Sequence, residues 1–102
     1  MNLIGLALLA VGLYVGVRIV MKIGGWLVNW ARRAIRAAID GVRAGVLTVA
    51  KEENQINAYA LGAPHAGDLE VVDEITVDEA DLPEEVVQAL RRHGAISERI
   101  NV

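Results

Sequence analysis

Residues 3–20 read LIGLALLAVGLYVGVRIV, and residues 26–51 read WLVNWARRAIRAAIDGVRAGVLTVAK. The first stretch contains a single charge, Arg18, whereas the second is both apolar and strongly basic. A helix from Leu3 to Met21 would rise roughly 28 Å, which is close to the thickness of the hydrocarbon core of a bilayer. The sequence therefore predicts an N-terminal transmembrane helix over residues 1–23.

Two alternatives for the apolar stretch stay open. A cleaved signal peptide would need basic residues before the apolar run and small residues flanking a cleavage site, and neither feature is well placed here. A helix buried inside a protein assembly would have the same composition as one buried in lipid.

The residues that flank the apolar stretch predict an orientation. Cationic side chains follow the stretch, and none precedes it. The positive-inside rule then places the N-terminus outside and the C-terminal part of the chain in the cytoplasm. Trp26 and Trp30 follow at the depth of an aromatic belt, so we predict that both lie at the membrane interface.

The polar residues from position 18 to position 51 share one arc, roughly 100° wide, when they are placed on a continuous helix. This pattern predicts that the transmembrane helix continues, with or without a kink at Gly24-Gly25, into a long basic amphipathic helix over residues 24–51. Its cationic stripe is predicted to contact anionic lipid or nucleic acid. A third alternative is that the stripe lines a polar lumen. The members of the stripe are Arg18, Lys22, Arg32, Arg33, Arg36, Arg43 and Lys51.

Small residues gather on the opposite side of the same predicted helix. Small side chains one turn apart let two helix backbones approach closely, which predicts helix–helix packing in a homo-oligomer. Glycines within a helix lower its stability unless packing compensates, so their presence favours this interpretation. The predicted packing residues are Gly12, Gly16, Ala34, Ala37, Ala38, Gly41 and Gly45.

The second half of the chain is acidic and differently patterned. Residues 1–51 carry a net charge of +6 and residues 52–102 a net charge of −9, which gives the overall −3. Residues 52–68 lack a sustained period and are predicted to be a linker. Residues 69–102 alternate, then carry a helical apolar stripe that stops at Gly94, then alternate again. We predict a small acidic strand–helix–strand module there, in a fold that is mainly α.

Chemistry-bearing motifs are scarce. The chain has no cysteine, so it can form neither a disulfide nor a thiolate site. Its two histidines, His65 and His93, have no companion at metal-ligand spacing. No phosphate-binding loop or catalytic triad pattern is present. We therefore expect no enzymatic activity, no metal, no cofactor and no small-molecule substrate.

These patterns lead to three functional hypotheses. The first is a small single-pass membrane protein that serves as a non-catalytic structural or accessory subunit of an oligomeric membrane assembly. Its partners would be the lipid bilayer, copies of itself or a larger membrane complex. The second is a coat or structural subunit of a virion or filament, with the basic stripe facing nucleic acid or lipid. The third is a pore-forming protein of the holin or effector type.

Overall fold

The computed structural model describes residues 22–63 and 69–102. The secondary structure within them is α1 (Gly25–Ala38), β1 (Ala44–Glu52), β2 (Gln55–Gly62), β3 (Glu70–Val77), a 3₁₀ turn (Glu79–Asp81), α2 (Glu84–His93) and β4 (Ala95–Asn101). The four strands of these ranges form one sheet in the order β3-β2-β1-β4, and every neighbouring pair is antiparallel. The fold is therefore mixed α and β, and the prediction of a mainly α protein is wrong.

The predicted amphipathic helix over residues 24–51 is wrong beyond its first half. α1 ends at Ala38, Gly41 adopts a φ of 73°, and the chain returns as β1. All residues from Gly45 to Ala50 are buried, so this strand has core on both of its sides. A strand buried on both faces shows no alternation, and an apolar run of this kind cannot be told from a buried helix by periodicity.

The first residues described contradict the membrane prediction. Ile23, which ends the predicted span, is packed in the core with 3% of its surface exposed. Over residues 22–63 and 69–102, no helix has the length and apolar character needed to cross a bilayer. A single-pass protein with an outside N-terminus and a cytoplasmic module is thus not supported. Residues 1–21 lie outside the described residues. They include most of the predicted span, and Gly12, Gly16 and Arg18 are among them.

The main core lies between the two helices and one face of the sheet. α1 begins after Gly24, whose φ is 67°, so the glycine pair marks a helix start and not a kink. α1 buries Leu27, Ala31 and Ile35, which recur every four residues and so share one face of the helix. α2 contributes Val86, Val87 and Leu90 to the same cluster.

The last third of the chain does contain a strand, a helix and a strand where the sequence pattern indicates them. Gly94, with a φ of 81°, ends α2, and its backbone N–H donates to the Leu90 carbonyl at 2.8 Å. However, β3 and β4 lie at opposite edges of the sheet, with β2 and β1 between them. These elements are parts of one sheet fold and not a separate module. β2 itself occupies residues that the sequence pattern assigned to a linker.

Candidate functional site

The outward side of α1 is the most distinctive surface of the described residues. Because Leu27, Ala31 and Ile35 point to the core, helical geometry turns a second set of side chains to solvent. We call this set the cationic face, and its members are Trp26, Asn29, Arg33 and Arg36, all exposed. Trp26 has 47% of its surface exposed and is the only large hydrophobic residue exposed in the described ranges.

The charges of the cationic face are unneutralised. No carboxylate occurs between Lys22 and Ile39. Arg33 and Arg36 make no hydrogen bond or ion pair with another described residue. By contrast, Arg91 forms an ion pair with Glu79 at 2.7 Å. Arg36 lies in the last turn of α1, where the partial negative charge of the helix end stabilises a cation. Both guanidinium groups are therefore available to an anionic ligand.

Arg32, although it neighbours this face in sequence, has a structural role. It is half-buried, and its Nε donates to the carbonyl oxygen of Asn101 at 2.8 Å. One of its terminal nitrogens, Nη1, donates to Oδ1 of Asn29 at 3.2 Å. Arg32 thus ties α1 to the end of β4 and orients Asn29 at the same time.

The other described residues of the predicted cationic stripe are spread over the molecule. Lys22 precedes α1 and Arg43 follows the turn after it, and both are exposed. Lys51 lies near the other end of β1, beside Asn54 and Gln55 at the β1–β2 turn. The structure therefore brings together only the arginines that α1 itself carries.

The two tryptophans differ in environment. Trp30 is half-buried and packs against the main core. The indole Nε1–H of Trp26 donates to the carbonyl oxygen of Asp81 at 3.4 Å, and its ring borders a small cavity with Leu82 and Pro83. Trp26 is therefore held in place although almost half of its surface is open to solvent.

Among the described residues, those predicted to pack helices together do not form one helical ladder. Ala34 is half-buried against the main core, whereas Ala37 and Ala38 are exposed at the end of α1. Gly41 lies in the turn, and Gly45 lies in β1 beneath Ile35.

A cluster of acidic groups on the other face of the sheet was not indicated by the sequence. The Tyr59 hydroxyl donates to the carboxylate of Glu52. The pKa of Tyr59 is raised mainly by burial, and next by this hydrogen bond and the negative charge of Glu52. The pKa of Glu74 is raised mainly by burial, and next by the negative charges of Glu52 and Asp73. Oε2 of Glu74 is buried and accepts no hydrogen bond from a described residue. Tyr59 and Glu74 meet only because they are register partners on neighbouring strands, which no local motif reveals.

This acidic cluster offers little chemistry by itself. Within residues 22–63 and 69–102, no three His, Cys, Asp or Glu side chains are arranged to hold a metal ion. His93 is exposed at the end of α2, and His65 lies outside the described residues. The chain matches no protein-family model, no curated protein and no solved structure.

Proposed function

We propose that this chain is a non-catalytic binding protein whose cationic face contacts single-stranded nucleic acid. The observation that carries the proposal is the shared exposure of Trp26, Arg33 and Arg36 on one side of a helix. Guanidinium groups match phosphate geometry and keep their charge. An exposed aromatic ring stacks on a base that is not held in a duplex. The two residue types together suit a flexible strand better than they suit a simple anion.

The spacing of the side chains supports this ligand. Trp26 and Arg33 are two turns apart, about 10 Å along the helix axis, and Arg33 and Arg36 are about 4.5 Å apart along it. Because the other side of α1 is packed in the core, with Ala31 and Ile35 at 0% exposure, the face is held rigid. A short run of nucleotides would therefore meet preformed contacts.

The charge is uneven along the face. Asp81 borders the same small cavity as Trp26, whereas Arg33 and Arg36 lie in the second half of α1, which the exposed Asp40 follows. The phosphates are therefore expected at the Arg33–Arg36 end, with base stacking at Trp26.

A structural subunit that associates with copies of itself is a second candidate, and the charge polarity of the molecule favours it. Carboxylates surround the start of α2: Asp78, Glu79, Asp81, Glu84 and Glu85. The acidic region of one copy would meet the cationic face of the next, and such contacts weaken as salt is added. Native mass spectrometry across a salt series tests this candidate, because a protein that stays monomeric at low salt would exclude it.

The decisive experiment for nucleic-acid binding compares two charge-matched variants. Fluorescence anisotropy with labelled single-stranded RNA and DNA measures affinity across a salt series. In the variant Arg33→Gln/Arg36→Gln, two phosphate contacts are lost, so affinity should drop and the slope of log K against log salt should shrink by roughly 1.4. The control is Arg91→Gln/Arg92→Gln, which removes the same charge from exposed positions on α2. Equal effects of the two variants, or no binding at low salt, would contradict the proposal.

A further inference from the structure

A small cavity adjoins the cationic face at the start of α1. Its volume is about 130 Å³, and Trp26 borders it together with Leu82 and Pro83. Pockets that hold drug-sized ligands measure roughly 300–1,000 Å³, so this cavity has room for a single ring system and little more. It lies at the end of the cationic face where base stacking is expected.

The fold holds the walls of the cavity in place. Leu27, which is 1% exposed, anchors the first turn of α1 in the main core, and Leu82, which is 8% exposed, belongs to the same core. The indole Nε1–H of Trp26 donates to the carbonyl oxygen of Asp81, and this contact joins the two segments that enclose the cavity. A ligand that enters therefore meets a space whose shape is set before binding.

The cavity is bordered by one charged residue, Asp81. Its carboxylate is exposed and makes no hydrogen bond or ion pair with another described residue. A carboxylate accepts hydrogen bonds and donates none, and its negative charge repels a phosphate. Asp81 therefore favours the uncharged, hydrogen-bond-donating edge of a base over the backbone of a strand.

Guanine is the base whose edge suits a carboxylate best. Its Watson–Crick edge carries two adjacent donors, N1–H and the N2 amino group, which match the two oxygens of one carboxylate. Adenine and cytosine place an acceptor nitrogen beside their amino group, and uracil flanks its N–H with two carbonyl oxygens. In a single strand these edges are free to be recognised. A carboxylate that meets any edge other than that of guanine would therefore face at least one acceptor.

We propose that the cavity beside Trp26 selects guanine within a single strand, with the base stacked on the indole and its Watson–Crick edge donating to Asp81. This proposal rests on the function proposed above and adds a base preference to it. The strand then continues along α1 toward Arg33, so that its phosphates lie away from Asp81. A good bidentate contact with a base edge discriminates against the wrong base by about 5- to 150-fold.

The test measures the affinity of the full chain for short labelled RNA strands by fluorescence anisotropy. One strand is all uracil, and each of the others has guanine, adenine, cytosine or hypoxanthine at one central position. The guanine strand should bind at least about fivefold more tightly than the uracil and adenine strands. Hypoxanthine lacks the N2 amino group, so its strand should fall between them.

The outcomes separate this proposal from the one on which it rests. Equal affinity for all the strands would overturn the base preference while strand binding by the cationic face still stood. No binding of any strand at low salt would overturn both proposals.

Two charge-matched variants test whether Asp81 causes the preference. Asp81→Asn removes the carboxylate and keeps the backbone carbonyl to which Trp26 donates, so the ratio of guanine affinity to adenine affinity should fall close to one. Glu85→Gln removes the same charge from an exposed position in the first turn of α2 and should preserve the ratio. A guanine preference that survives in Asp81→Asn would overturn the assignment.

Tryptophan emission locates the bound base. Trp30→Phe leaves Trp26 as the only tryptophan of the chain. Because a base that stacks on an indole quenches its emission, the saturating guanine strand should quench Trp26 more strongly than the uracil strand does. Binding of the guanine strand that leaves the emission of Trp26 unchanged would overturn the proposal.

Discussion

The Cδ1 atom of Ile35 occupies the space in which a side chain at Gly45 would lie. An ideal Cβ on Gly45 would be 2.4 Å from that atom and 2.7 Å from the carbonyl oxygen of Leu61. Both distances are far below van der Waals contact. The absence of a side chain at Gly45 therefore allows α1 to approach β1 and sets the depth at which Ile35 is buried.

The first prediction concerns this contact. Gly45→Ala should lower the free energy of unfolding by about 1–3 kcal/mol, because the added methyl overpacks the site. Adding Ile35→Val removes the Cδ1 atom but leaves the Leu61 carbonyl in place. The second change should therefore recover only part of the loss, as measured by urea denaturation.

Gly41→Ala is the matched control for Gly45→Ala. Gly41 has a φ of 73° and no atom within 4 Å of an ideal Cβ, so its cost of about 1–2 kcal/mol comes from backbone strain alone. Ile35→Val should not relieve that cost. A Gly45→Ala protein as stable as the parent would show that α1 does not pack on β1 at this depth.

The second prediction concerns Glu98, whose carboxylate accepts from the backbone N–H groups of Ile23 and Gly24 just before α1. Glu98→Ala leaves both donors unpaired near the positive end of the helix and should cost about 1.5–3 kcal/mol. Glu98→Gln keeps an acceptor and should cost less. Glu70→Ala, at an exposed position on the other edge strand, should be close to neutral in the same thermal denaturation series.

The third prediction concerns the buried hydroxyl pair of Thr48 and Ser97. Thr48→Val keeps the shape of the side chain but leaves the Ser97 hydroxyl without its partner, so about 1–3 kcal/mol of stability should be lost. Ser97→Ala should have a comparable effect. In a double-mutant cycle, the combined variant should lose less than the sum of the two losses. Strict additivity would mean that the hydroxyls do not interact.

The fourth prediction is a pH dependence centred on Glu74, whose pKa is raised in the folded protein from its ordinary value of 4.5. The folded state then binds more protons than the unfolded state between 4.5 and the raised pKa, so stability falls as the pH rises through that interval. Glu74→Gln should remove this fall and should stabilise the protein near neutral pH, by no more than about 1 kcal/mol. Denaturation midpoints at acidic and neutral pH measure the effect, and a Gln variant that is less stable at neutral pH would contradict it.

Local sequence signals predicted some elements of this fold well. The helical stripe that ends at Gly94 corresponds to α2, which has a buried and an exposed side. The alternating residues 69–77 overlap β3, but Leu69 and Val71 pack on the cluster around Tyr59, whereas Ile75 and Val77 pack on the main core. β1 and β2 are buried on both faces, so their residues do not alternate, and the sequence pattern predicts a helix and a linker there. Burial on both faces depends on tertiary packing, which local residue spacing does not reveal.

The candidate site, like the fold, could be predicted from the sequence only where a single element carries the residues. Arg33 and Arg36 were predicted to bind anions, and that prediction stays untested, although both are exposed on α1. Their grouping with Arg43 and Lys51 depended on one uninterrupted helical phase, which ends at Ala38. The acidic cluster around Tyr59 depends on cross-strand register, and register cannot be derived from spacing along the chain.

The pairing of β4 with β1 has a consequence for how the protein folds during synthesis. Residues 44–50 pair with residues 95–101, so the central strand β1 keeps one open edge until β4 has been synthesised. Until then, the β1–β2 hairpin presents unpaired backbone groups flanked by apolar side chains, which is a template for pairing with another nascent chain. Glu98 reaches Ile23 and Gly24 only at the same late moment. We therefore expect ribosome-stalled chains that stop before β4 to bind chaperones more strongly than chains that include it.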